Sequence, residues 1–193
     1  MNKKYVKVMF GNKGAAFEYK IGEVNIANNW NPTASSGKEF GGFNYATEDC
    51  ILRWLHRGDT IYDVVVPDDA ENIRLEGATV VYRTNKIILT NPRKVTDEMA
   101  LEFYKKSNIP KKSYYKALAA VSVMNYKKTA YAILKDKVNK NNINEVLEEW
   151  NDFIEHGNQE DRINVNDLIG IIENKLYELK NNWVEGLLWK QYI

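Results

Sequence analysis

The sequence predicts an α+β protein: a small mixed β-sheet domain over residues 1–95, followed by a helical bundle over residues 96–193. Two observations predict it. Before Thr96, short runs of β-branched and aromatic residues alternate between Gly, Asn and Pro turns; after it, apolar residues recur every three to four positions. The break in period at residue 96 sets the boundary.

Tyr5-Val6-Lys7-Val8-Met9-Phe10 reads as the first strand. Gly11-Asn12-Lys13-Gly14 then turns the chain into Phe17-Glu18-Tyr19-Lys20-Ile21, which pairs with it as a hairpin. Residues 28–38 form a loop rich in Asn, Pro, Ser and Gly. Trp30 lies on that loop and either plugs the domain or awaits a partner. Gly41-Gly42-Phe43-Asn44-Tyr45-Ala46-Thr47 enters a short helix, with Thr47 as its N-cap and Glu48 and Asp49 at its positive end. Ile51, Leu52, Trp54 and Leu55 give that helix its buried face, and Gly58-Asp59 ends it. Ile61 to Val66 is nearly all apolar, the pattern of a strand covered on both faces, and Pro67 stops it. Further strands are expected at 79–83 and 86–90, before a break at Asn91-Pro92.

Thr96-Asp97-Glu98 caps the first long helix. Helices follow at 111–124, 126–138 and 143–154, and a last one begins near Val165. The second and third echo each other at an offset of 16 residues, Lys111-Lys112-Ser113-Tyr114 against Lys127-Lys128-Thr129-Ala130, and form a helical hairpin. In the last helix, Val165, Ile169, Ile172, Leu176, Leu179 and Trp183 make a bundle seam or a dimer seam. The apolar tail 186–193 docks on the domain or binds something.

The net charge is +1, but its distribution is uneven. Residues 1–95 carry 13 Lys and Arg against 11 Asp and Glu, residues 96–140 carry 10 against 4, and residues 141–193 carry 4 against 11. The basic middle includes Lys111, Lys112, Tyr114, Tyr115, Lys116, Tyr126, Lys127 and Lys128. Ammonium groups for phosphates beside aromatic faces for bases suit a nucleic acid or nucleoprotein. The same charges suit an acidic protein partner, or the acidic C-terminal segment of the chain itself. These eight are the candidate binding residues.

Enzymatic signatures are sparse. The chain has no P-loop, no G-x-G-x-x-G, no G-x-S-x-G and no paired-cysteine pattern. Cys50 is the single cysteine and reads as buried and inert; His56 and His156 are read as structural or solvent-facing, and His56 falls at a helix end, where histidines meet free carbonyls. No metal and no cofactor is expected. The absence of a leader or of a membrane-length apolar run leads to an expected cytoplasmic location.

Gly42-Phe43-Asn44-Tyr45-Ala46-Thr47, the Trp-bearing helix, Ile61-Tyr62-Asp63-Val64-Val65-Val66-Pro67 and Thr84-Asn85-Lys86-Ile87-Ile88-Leu89 resemble the order of elements in ADP-ribosyltransferase-like folds. They are also similar to uncharacterised proteins of bacteria and their phages. The resemblance covers about residues 1–95 and implies a split sheet whose cleft holds NAD in active members. Active members place Arg or His on the first strand, where this chain has Met9-Phe10-Gly11, and an acid before the late strand, where it has Asn85-Lys86. Tyr45 or Thr47 matches the second motif, with Glu48 or Glu71 as substitute acids. A catalytically degenerate member is thus implied. The expected function is a non-enzymatic binding protein that occupies a macromolecular partner, for example a phage-encoded anti-CRISPR inhibitor. The alternatives are an NAD-binding or transferase-type protein with an altered site, and an assembly protein dimerising through its last helix.

Overall fold

The computed structural model describes residues 4–14, 17–34, 39–77, 79–156 and 166–182. Seven strands form one sheet: β1 (Tyr5–Met9), β2 (Val24–Ile26), β3 (Phe43–Thr47), β4 (Thr60–Val65), β5 (Asn72–Leu75), β6 (Val81–Thr84) and β7 (Lys86–Lys94). Their order is β2-β7-β4-β1-β3-β6-β5, and every pairing is antiparallel, where a mixed sheet was expected. A 3-10 helix, Ile51–Arg57, joins β3 to β4. Five α-helices follow: α1 (Asp97–Lys106), α2 (Lys111–Val123), α3 (Lys127–Lys137), α4 (Ile143–His156) and α5 (Asp167–Asn182).

β1 lies at the centre of the sheet, and this overturns the expected hairpin. It pairs with β3 and β4, while residues 17–21 contribute only the isolated bridge from Lys13 to Glu18. Two strands are new, β2 and β5, three and four residues long at the two edges. β7 does not break at Asn91-Pro92. It runs on to Lys94, with Asn91 at φ 55° and a register shift opposite Ile61 and Asp63. Proline is tolerated there because β2 pairs only with residues 86–88, so that no ladder partner on the outer side needs the missing N–H.

Thr47 closes β3 and is no helix cap; the 3-10 helix starts after Cys50, without a side-chain cap. Gly58 then brings the chain against β1, and a Cβ there would sit 2.0 Å from the Met9 carbonyl carbon. Thr96 caps α1 as its sequence suggests, accepting a hydrogen bond from the Met99 N–H at 3.2 Å. Thr96→Ala is expected to lower stability by about 1 kcal/mol, read by urea unfolding. A loss within error of zero would remove that role.

Two cores lie on the two faces of the sheet. On one, Val6, Val8, Ala46 and Ile61 meet the 3-10 helix and the α-helices in a continuous cluster that reaches Leu118, Trp150 and Leu176. α2 is its axis, buried almost all round from Ser113 to Val123. The other face is aromatic: Tyr19, Phe43, Tyr45, Tyr62 and Tyr82 pack with Met9, Val64, Ile87 and Leu89. Val165, Trp183 and the tail 186–193 lie outside the described residues, while Ile172 and Leu176 of the expected seam are fully buried within the chain.

Candidate functional site

The eight candidate binding residues do not form one surface. Tyr114, Tyr115 and Tyr126 are buried, at 9%, 1% and 6% exposure, and their hydroxyls are spent internally. Tyr114 shares its hydroxyl with Ser107, Tyr115 accepts from Asn142 Nδ2, and Tyr126 donates to the Val95 carbonyl. No aromatic face remains there on which a base could stack. Lys116 bridges to Glu149 and Asp152 of α4 at 3.1 and 3.2 Å, and Lys128 to Glu98 at 2.6 Å. Part of the basic middle is thus neutralised by acids of the same chain. Asp97 also accepts from the N–H groups of Lys128 and Thr129, filling the N-terminus of α3 with a carboxylate.

Lys111, Lys112 and Lys127 stay exposed, but apart. A helix of this length rises roughly 18 Å along its axis. Lys111 and Lys112 open α2, and Lys127 follows the turn at its other end. Sequence proximity and the repeat made these lysines look like one patch; helix geometry separates them.

The elements tied to the transferase-like resemblance are engaged in packing. Met9 is buried, the Tyr45 hydroxyl donates to Asn72 Oδ1 at 3.1 Å, and Lys86 pairs with Asp69. Glu48 pairs with Lys4 at 3.2 Å and Glu71 accepts from Trp30 Nε1 at 2.7 Å. Trp30 is half-buried, with its ring lying against Gly42. His56 is buried between Trp54 and Phe153, with Nδ1 3.1 Å from the Arg53 carbonyl. Burial first, and Arg57 next, push its pKa down to about 3, so the ring is neutral. Cys50 is buried. Among the described residues no group of three or more His, Cys, Asp or Glu side chains is placed to hold a metal, and no helix is long and apolar enough to cross a membrane.

What the fold assembles instead lies on the sheet. Cross-strand pairing puts Val24 opposite Ile88 and Ile88 opposite Val65, so the three share one face; Ile26, two residues along β2, joins them. Val24, Ile26 and Val65 are 48%, 57% and 50% exposed. They stand on the face that carries the helices further along, beyond the region where the 3-10 helix packs on β1. Single exposed apolar residues are ordinary; these stand side by side across three strands.

The row ends at β2, which among the described residues is the edge strand of the sheet. The Ala27 N–H donates to the Asn85 carbonyl, so with period two Asn25 faces β7 while Val24 and Ile26 turn their N–H and C=O groups outward. Asn25 fixes this edge: its amide bonds to Lys20 and to the carbonyls of Glu23 and Ile87. Neither β2 nor the row was legible in the sequence, because Val24-Asn25-Ile26 is too short to show a period.

A second feature sits where β1 and β3 part. Their ladder holds only Tyr5 to Thr47 and Val6 to Ala46. Next in line, Lys7 is buried among aromatic rings, and its Nζ donates to the carbonyl and the Oδ1 of Asn44 at 2.7 and 2.6 Å. A lysine in an alternating strand reads as solvent-facing, so this burial was not legible from the residues alone.

No family model, curated protein or solved structure matches this chain.

Proposed function

We propose that this chain is a non-enzymatic binding protein that acts by occupying a protein partner, which adds a strand to the open edge of β2 and covers the apolar row beside it. One observation carries the reading: Val24, Ile26, Ile88 and Val65 form a row on one face, and among the described residues no strand pairs with the outer side of β2 at its end. Strand addition draws its affinity from main-chain hydrogen bonds, and side-chain contacts on the adjoining face give specificity. A phage-type inhibitor that blocks the protein part of a defence nucleoprotein belongs to this class.

The test is capture from cells that carry the gene. Wild-type protein is expected to retain a partner that an Ile26→Lys/Val65→Lys variant loses by at least about tenfold, since each lysine buries an unpaired charge in the contact. A Lys111→Glu/Lys112→Glu variant should retain it. Retention by the first variant and loss by the second would overturn the proposal. So would concentration-dependent self-association in sedimentation that Ile26→Lys abolishes, because the occupant would then be a second copy.

A further inference from the structure

At the parting of β1 and β3, the fold brings together hydrogen-bond donors and positive charge around a buried ammonium. Lys7 is 7% exposed. Its two hydrogen bonds both go to Asn44, and the Tyr19 ring lies 5.4 Å from Nζ. An ammonium has three N–H bonds, so one is left over. Among the described residues no carboxylate reaches it, and its charged neighbours are Arg83 and Arg57. A buried cation lacking a counter-charge costs several kcal/mol, and proteins keep such groups where something is meant to meet them.

The remaining groups are donors. Asn44 is exposed; its Oδ1 is taken by Lys7, and this assigns the amide, so Nδ2 keeps hydrogens to give. Arg83 is half-buried and spends Nη1 on the Gly41 carbonyl at 2.8 Å, leaving the rest of its fork. An ammonium, an amide NH₂ and a guanidinium together match an oxyanion, and a guanidinium matches phosphate geometry in particular.

We propose that Lys7, Asn44 and Arg83 form a binding site for a phosphate-type oxyanion, approached over the exposed side chain of Asn44. The site lies apart from the β2 edge and does not depend on the function proposed above. Burial, then Arg83 and Arg57, hold the Lys7 pKa down to about 7. An anion at Nζ opposes this, so binding takes up a proton near neutral pH and weakens as pH rises. Tyr19, Tyr45 and Tyr62 also face this region, and burial raises all three phenols away from that range.

The test is calorimetric titration of the intact protein at low ionic strength with inorganic pyrophosphate, and with a short oligonucleotide with and without a 5′-phosphate. Pyrophosphate is expected to bind. Sulfate, whose charge is constant in this range, should bind about tenfold more tightly near pH 6 than near pH 8.5. Asn44→Asp gives Lys7 a carboxylate of its own; it should weaken pyrophosphate binding at least about tenfold while raising the melting temperature, so lost binding cannot be mistaken for lost fold. Lys7→Met should do the same. Binding of the phosphorylated oligonucleotide, lost in both variants, would assign the anion to a nucleic-acid end; binding of pyrophosphate alone would assign it to a small ligand. No binding of pyrophosphate to folded wild-type protein, or affinity within about twofold of wild type in Asn44→Asp, would overturn the proposal.

Discussion

Lys7→Met is expected to make the protein more stable, by roughly 3 kcal/mol near pH 6, and to flatten its dependence on pH. Methionine is close to lysine in shape and carries no charge, and the side-chain amide of exposed Asn44 turns to water when the ammonium is gone. The magnitude follows from linkage. The Lys7 pKa falls from 10.5 to about 7, chiefly by burial and then through Arg83 and Arg57. Below pH 7 both native and unfolded chains hold the proton, and the native state bears the full cost of the buried charge. Between about pH 7 and 10 the native lysine has shed a proton that the unfolded chain keeps, so wild-type stability rises with pH in that window. Tyr19, Tyr45 and Tyr104 act in the opposite sense at higher pH, because burial raises their phenols and the unfolded chain ionises first. Urea unfolding of both proteins across this range measures the difference. A methionine variant less stable than wild type at pH 6, or a flat wild-type profile from pH 7 to 9, would contradict the assignment.

Gly41→Ala is expected to cost about 4 kcal/mol or more, the largest loss foreseen for a single added methyl group. Gly41 has φ +60°, where an L side chain is strained. A Cβ there would also fall 1.3 Å from the Asn29 backbone oxygen and 2.5 Å from its carbonyl carbon. The obstacle is backbone, so no rotamer change relieves it. Asn29 adjoins Trp30, whose ring lies on Gly42 and whose Nε1 bonds Glu71; displacing this loop moves the ring from beside β3 and frees the end of Arg83 that holds the Gly41 carbonyl. Chemical denaturation measures the cost, and a loss below about 1 kcal/mol would show that the loop moves freely.

The helical half was largely legible because its signals are local. A capping threonine at 96, the stripe from Ile143 to Phe153 and the pause at Pro110 each act within one or two turns. Thr47 misled for the same reason: a threonine followed by two acids has the chemistry of a cap, but the backbone there is still paired with Tyr5. Sheet order is non-local. Nothing in residues 5–21 says that β1 pairs with strands some 40 and 55 residues on instead of with its neighbour.

The binding residues went astray through burial. Tyr114 and Tyr115 sit beside lysines, and a basic, aromatic dipeptide suggests a surface. Yet the run from Ala117 to Val121 is apolar on every side, the mark of a helix covered all round, and that signal was present in the sequence. Lys7 lay beyond such reasoning. Its burial follows from β1 being central and from Tyr19, Tyr45 and Tyr62 closing over one face, facts of topology rather than of spacing.

The proposed contact at the β2 edge is tested most directly by photo-cross-linking in cells that carry the gene. A benzophenone side chain replaces Val65 in one variant and Lys111 in another, both checked for native unfolding behaviour. Position 65 is expected to yield a discrete adduct with one partner protein, and position 111 none. An adduct from position 111 with none from position 65 would return the function to the basic helices and contradict the proposal.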